Sequence, residues 1–158
     1  MKNEDKTNVM RILQQKKIDY KSYSYEPDST LTGGQIADIL GEPKDRVFKT
    51  LVTEGKGRTY YVFVIPVEKE LDLKKAAKAV SEKSVSMLPL KELLPLTGYV
   101  HGGCSPIGMK KSFVTVVHES AKDFDKIFFS AGKVGFQVEV APEDLAKVIR
   151  YTFADVCC

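Results

Sequence analysis

Between Leu93 and His118 the chain carries no Asp or Glu, although it has 21 acidic residues in all. Inside this window, Gly98-Tyr-Val-His-Gly-Gly-Cys-Ser-Pro-Ile-Gly-Met-Lys-Lys111 holds four of the eleven glycines and ends in two lysines. Glycine lets a backbone take φ > 0 and approach a ligand closely. Successive exposed N–H groups in such a loop form a concavity suited to anions or carbonyl oxygens. The segment therefore reads either as a binding loop for something negatively charged or as a surface loop with solvated lysines. Taken alone, it does not choose between them.

The 158 residues suit one domain, spanning 1–158, long enough to bury roughly 70% of the surface the unfolded chain exposes. With 43% hydrophobic and 28% charged residues, the composition is that of an ordinary soluble globular protein. A net charge of +3 is too small to mark a nucleic-acid binder, so any electrostatic footprint must come from local clustering. The opening Met-Lys-Asn-Glu-Asp-Lys leads into no apolar signal region, and no run approaches the ~20 apolar residues of a membrane span. A cytoplasmic protein with no membrane partner is expected. Three cysteines, two of them adjacent at Cys157 and Cys158, make no disulfide framework. The terminal pair lacks prenylation spacing and reads as an incidental tail. Two histidines, without Cys-x-x-Cys or His-x-x-x-His spacing, give no expected metal site and no cofactor.

Periodicity predicts a helix over Asp5–Lys16 with Val9, Met10, Ile12 and Leu13 inward, then a strand over Asp19–Ser24. Thr32-Gly-Gly-Gln35 has the form of a capping box. It opens a helix with Ile36, Ile39 and Leu40 inward, stopped by Gly41. Val47–Thr53 and Thr59–Pro66 read as a hairpin joined through Glu54-Gly-Lys-Gly57. Asp72 caps a helix whose Leu73, Ala76, Ala77 and Val80 form one apolar face, and Leu90–Leu94 suggests another short helix. Ser112–Val117, Lys126–Ser130 and Gly135–Val140 read as strands. Pro142 starts a helix carrying Leu145, Val148 and Ile149, and Tyr151–Ala154 is extended. Strands and helices mingle without strict alternation, so an α+β fold with a mixed sheet and flanking helices is expected.

Lys49 stands out in Val47-Phe-Lys-Thr-Leu-Val52, where only Thr50 among its neighbours is polar. On a strand Val47, Lys49 and Leu51 share a face. Such an ammonium either guards an edge strand or snorkels to solvent, or it lines a pocket and binds phosphate, polarises a carbonyl or acts as a nucleophile. Ser130-Ala-Gly-Lys-Val-Gly135 reads first as a hairpin turn and matches neither a P-loop nor a dinucleotide fingerprint. It can also present the Ser130 hydroxyl and the Gly132 N–H to a ligand. Cys104, three residues after His101, lacks an orienting third group and reads as a small residue in a tight loop rather than a nucleophile. Ser105 before Pro106 reads as a turn former. Tyr20, Tyr23 and Tyr25 along the early strand are ordinary strand aromatics or a base-stacking surface.

Several of these pieces together resemble the bacterial YbaK/EbsC-like proteins, the Cys-tRNA(Pro) deacylases. They are Lys6-Thr-Asn-x-Met10, Ile18-Asp-Tyr20, Val47-Phe-Lys-Thr-Leu-Val52, Glu70-Leu-Asp-Leu-Lys-Lys75, Leu96-Thr-Gly-Tyr99, Gly102-Gly-Cys-Ser-Pro-Ile-Gly-Met-Lys-Lys111 and Ser130-Ala-Gly132. They run in order through nearly the whole chain. These proteins are similar to the editing domain inserted in bacterial prolyl-tRNA synthetases. The resemblance implies a curved, partly barrel-like mixed sheet with helices around it. It also implies trans-editing, the hydrolysis of cysteine wrongly attached to proline tRNA, without metal and with help from the substrate thiol or the terminal ribose hydroxyl. Lys49 takes the place of the family's essential lysine, and Gly102, Gly103, Ser105 and Pro106 that of its Gly-x-x-x-Pro element. Tyr20, Thr50, Ser130 and Gly132 match other pocket positions. The implied partners are Cys-tRNA(Pro) and prolyl-tRNA synthetase, since so weak a charge needs borrowed affinity for tRNA. The alternative is a non-catalytic module that only holds aminoacyl-tRNA or a synthetase.

Overall fold

A computed structural model describes residues 6–158. The expected helix start at Asp5 and the chain's opening residues lie outside that range. Local capping chemistry sets most helix ends. Helix α1 (Asn8–Gln15) begins after Thr7, whose hydroxyl accepts the Met10 N–H at 3.2 Å, and it buries Val9, Met10 and Leu13. Both halves of the predicted capping box form at α2 (Gly33–Leu40): Thr32 Oγ1 accepts the Gln35 N–H, and Gln35 Oε1 accepts the Thr32 N–H. The left-handed Gly41, at φ 71°, ends that helix. Its inward face differs from the expected one, because Ile39 is 52% exposed while Gly34 and Ala37 are buried. The cause is contact distance: a Cβ on Gly33 would sit 2.4 Å from Val67 Cβ, so the small residues face the turn that follows β3. Asp72 caps α3 (Leu73–Ala79) by accepting the N–H groups of Lys74 and Lys75. This helix buries Ala76 and Ala77 but leaves Leu73 40% exposed. Short helices α4 (Leu93–Thr97) and α5 (Pro142–Leu145) complete the set.

The strands are β1 (Tyr20–Ser24), β2 (Phe48–Glu54), β3 (Tyr60–Pro66), β4 (Ser86–Met87), β5 (Val114–His118), β6 (Ile127–Ser130), β7 (Phe136–Val140) and β8 (Thr152–Ala154). They form two open sheets rather than one partly barrel-like sheet. The smaller is antiparallel in the order β1-β7-β6, and the larger is mixed in the order β4-β2-β3-β5-β8. In the larger sheet β2 is antiparallel to both β3 and β4, while β3, β5 and β8 run parallel. The sheets meet where Val47, just before β2, bridges Phe128 of β6. Arg46 fastens this junction. Its Nε donates to the Lys126 carbonyl, its two terminal nitrogens pair with Glu42 at 3.0 Å and Glu139 at 3.2 Å, and its guanidinium lies over the Phe128 ring.

Alternation along β2 and β3 feeds two cores. Phe48, Val52, Val62 and Val64 join Leu13, Ile127, Phe129 and Val138 in the main cluster. Phe63 and Ile65 join Ala76, Ala77 and Val156 in the second. Each fully buried large apolar side chain here stabilises the fold by roughly 1.5–3 kcal/mol. The loop that follows α4 docks onto the main cluster through Tyr99, which is 8% exposed and donates its hydroxyl to the Ile107 carbonyl.

Gly132 is held at φ 91°, and a Cβ there would stand 3.0 Å from both the Tyr99 ring and Val9 Cγ2. Gly132→Ala is expected to destabilise the protein by roughly 1–3 kcal/mol, the cost of a side chain forced into a sparsely populated backbone region. Urea unfolding measures it, and an unchanged midpoint would contradict the packing described.

Candidate active site

β2 has an edge that its neighbours cover unevenly. β4 pairs only with Thr53 and Glu54, and the bridge to β6, between Val47 and Phe128, lies just before the other end. Between them lies a cavity of about 620 Å³. One wall is the start of α2, and the opposite wall is the Met87–Leu93 segment. The glycine loop closes the cavity with His101, Gly102 and Cys104, and sheet β1-β7-β6 contributes Ser130 and Gln137.

The loop is ordered by its own hydrogen bonds. Gly98 ends α4 in the left-handed region at φ 88°. Gly103 N–H donates to the Val100 carbonyl at 3.0 Å, and Ser105 Oγ accepts the Ile107 N–H at 3.3 Å. A Cβ on Gly103 would meet Val134 N at 3.0 Å, so this loop and the Ser130–Gly135 turn pack backbone against backbone. The two glycine turns form one unit.

Of the residues singled out in the sequence, Lys49, Thr50, Gly102 and Ser130 line the cavity. Pro106 lines a different cavity of about 660 Å³ behind the loop, between Pro106–Met109 and the 148–152 segment. Ser105 is wholly buried as a turn former. Tyr20 packs against the main core, Gly103 braces the loop, and Gly132 supports the neighbouring turn by donating its N–H to Ser130 Oγ at 3.1 Å. None of these five lines the β2 cavity. Tyr23 donates to Glu139 at 2.7 Å and packs on Phe128, which is a structural role.

Lys49 pairs across the ladder with Ile65, so its side chain lies on the face of the second core. Thr50 projects from the opposite face. The cavity thus wraps around the strand edge, with Lys49 on one face of β2 and Thr50 on the other, and Ser130 and Gln137 reach it from the neighbouring sheet. Lys49 is half-buried and forms no ion pair among the described residues. Glu68, the acid lining the cavity, pairs with Lys44 at 3.9 Å.

Three buried side-chain atoms of the described residues have no hydrogen-bond partner: Thr50 Oγ1, Ser120 Oγ and Gln137 Oε1. Two of the three belong to cavity-lining residues, Thr50 and Gln137. Orphaned buried polar atoms are costly and rare, so their concentration here marks a place for a polar ligand. Sequence reading missed Gln137, since a neutral amide within a strand carries no pattern; only its burial reveals it. Burial pushes the Cys104 thiol up to about 12, so it stays protonated near neutral pH and is no nucleophile. Among the described residues no group of three or more His, Cys, Asp or Glu side chains could hold a metal ion.

Residues 28–148 match the family model of the aminoacyl-tRNA editing domain. The chain is 47% identical over 156 residues, 98% of its own length and 95% of the relative's, to EbsC of Enterococcus faecalis, named "Putative Cys-tRNA(Pro)/Cys-tRNA(Cys) deacylase". It is 28% identical over 87 residues to a proline–tRNA ligase of Fervidobacterium nodosum, covering 55% of this chain and 15% of that one. In three dimensions it superposes with TM-score 0.81 and 21% identity on the crystal structure of "a putative trans-editing enzyme for prolyl tRNA synthetase", covering 96% and 98% of the two chains. The family model spans most of the chain and EbsC matches it almost end to end, and so this protein belongs to the aminoacyl-tRNA editing domain family.

Proposed function

We propose that the protein is a trans-editing deacylase that removes cysteine from mischarged tRNA(Pro), acting in the cytoplasm on charged tRNA alongside prolyl-tRNA synthetase. The observation that carries this reading is the cavity on the β2 edge, lined by a half-buried cation and by two unpartnered polar side chains, in a chain of the editing family. An aminoacyl-tRNA end has the matching polarity. Its terminal phosphate is anionic, and its aminoacyl group presents an ammonium, an ester carbonyl and a side chain.

Lys49 binds the phosphate–ribose end, and the polar side chains of Thr50, Ser130 and Gln137 receive the amino acid. An ammonium beside the substrate's own ammonium would repel it, which favours this orientation over the reverse. Donors aimed at the developing oxyanion supply the main stabilisation of an ester-cleaving transition state. Gly103 and Gly132 N–H groups already donate within the protein. Gly102 N–H has no partner among the described residues and takes this role.

The ester is activated already, so no triad or metal is needed. The cysteinyl thiol attacks its own carbonyl, forming a carbon–sulfur bond as the bond to the ribose oxygen breaks. The ribose oxygen takes up the thiol proton. Water then opens the resulting thiolactone to free cysteine.

Purified protein should release free cysteine from Cys-tRNA(Pro) at a rate unchanged by EDTA, and should act much more slowly on Ser-tRNA(Pro). Equal rates on the two substrates would remove the thiol route. Loss in EDTA with recovery on zinc would overturn the metal-free mechanism. Binding of charged tRNA without release would make the protein a non-catalytic carrier.

Lys49→Ala should lower the deacylation rate by a factor of about a hundred or more, the scale of losing one charged or oxyanion-type donor. Because the ammonium has no ion-pair partner among the described residues, its removal should leave the melting temperature level or raised. Near-normal turnover in Lys49→Ala would reduce Lys49 to an edge guard.

A further inference from the structure

The glycine loop walls two cavities. His101, Gly102 and Cys104 close the β2 cavity, while Pro106–Met109 bound the second one, of about 660 Å³. That volume lies in the range that takes a small organic ligand. Much of its lining is apolar, from Ile12 of α1, Ile107, Ile149 and the half-buried rings of Phe113 and Tyr151. Both rings are fixed in place. Phe113 packs edge-on against Tyr60, and Tyr151 packs edge-on against Phe153 and donates its hydroxyl to the Pro142 carbonyl at 2.6 Å.

Two cations complete this lining, Lys111 and Arg150. Both are exposed, and neither makes an ion pair among the described residues. Lys110 is engaged elsewhere, donating to the Pro95 carbonyl at 3.3 Å. No Asp or Glu stands among the described residues that line the cavity. Glu143 lines a separate hollow that shares only Tyr151 with it.

An anion with a flat apolar part matches such a lining, and a nucleotide has both. Its phosphate answers the cations, and its base lies against apolar and aromatic side chains. We propose that this second cavity binds the single-stranded nucleotides that lead to the charged end of tRNA. Lys111 and Arg150 hold their phosphates, and the apolar lining receives a base. The start of β5 lines this cavity, and β5 lies two strands from β2 in the same sheet, roughly 10 Å across it at the usual spacing. A tail of a few nucleotides covers that distance. The terminal aminoacyl nucleotide then occupies the β2 cavity while its neighbours lie against the Pro106–Met109 part of the loop. The inference rests on the deacylase reading for its RNA, and it adds a source of affinity for that RNA. A net charge of +3 does not provide one. Two unpaired cations on an acid-free wall do.

The test compares two non-hydrolysable probes. One is the cysteinyl amide of 3′-amino-3′-deoxyadenosine 5′-phosphate, which is long enough for the β2 cavity alone. The other carries the same amide at the end of a short oligoribonucleotide ending in CCA. The wild-type protein should bind the longer probe more tightly. Lys111→Gln and Arg150→Gln should each weaken the longer probe by about five-fold and flatten its dependence of log K on log salt by about 0.7. Neither variant should change binding of the shorter probe or the melting temperature, since both side chains are exposed. On charged tRNA the variants should raise KM and leave kcat in place. Equal binding of the two probes by the wild type overturns the proposal, as does a loss that is the same for both probes or absent for both. Variants that bind the longer probe normally but lose prolyl-tRNA synthetase would make this cavity a protein-docking surface instead. Cysteine release by the wild type, measured in parallel, judges the deacylase reading independently, because neither probe turns over.

Discussion

A β-strand has two edges, and β2 gives one to β3 along its whole length while dividing the other between β6 and β4. The division leaves a gap of one rung at Thr50. The cavity opens at this break in the ladder. The cavity is in this sense a missing piece of sheet. Arg46 keeps the gap open at one end by tying the start of β2 to Lys126, Glu139 and the Phe128 ring. At the other end the two-residue strand β4 is too short to extend past Thr53.

The glycine turns matter because they let the loop close over this gap. Gly103 brings the loop backbone so near the Lys133–Val134 backbone that a Cβ would be tightly crowded, and the buried Tyr99 anchors the loop. A loop held this way presents Gly102 in a fixed place, which is what stabilising a developing charge requires. The four glycines of the segment therefore serve packing first. In the proposed mechanism their part in chemistry falls to the Gly102 amide.

Features set by neighbouring residues were legible in the sequence. The Thr32–Gln35 box, the Gly41 stop, the Asp72 cap and the β2–β3 hairpin all formed as their local chemistry dictates. The way the two sheets meet was not legible, because it depends on a bridge between residues 47 and 128 that no local pattern announces. The same holds for β4, whose pairing is purely tertiary. Ile39 turned outward because α2 packs through its small residues, a choice made by Val67 across the chain. In the site, a lysine among apolar neighbours drew notice to Lys49 from composition alone. Gln137 gave no such contrast, and Pro106, close in sequence to Gly102, turned out to line a separate cavity.

The central claim is that the aminoacyl end of tRNA occupies the gap on the edge of β2. Its most direct test is a crystal structure of the protein with the cysteinyl amide of 3′-amino-3′-deoxyadenosine 5′-phosphate. The account predicts the amino acid lying beside Thr50, Ser130 and Gln137, with the phosphate toward Lys49. Density for the cysteinyl group in the cavity between Pro106–Met109 and the 148–152 segment, with the β2 edge unoccupied, would contradict it.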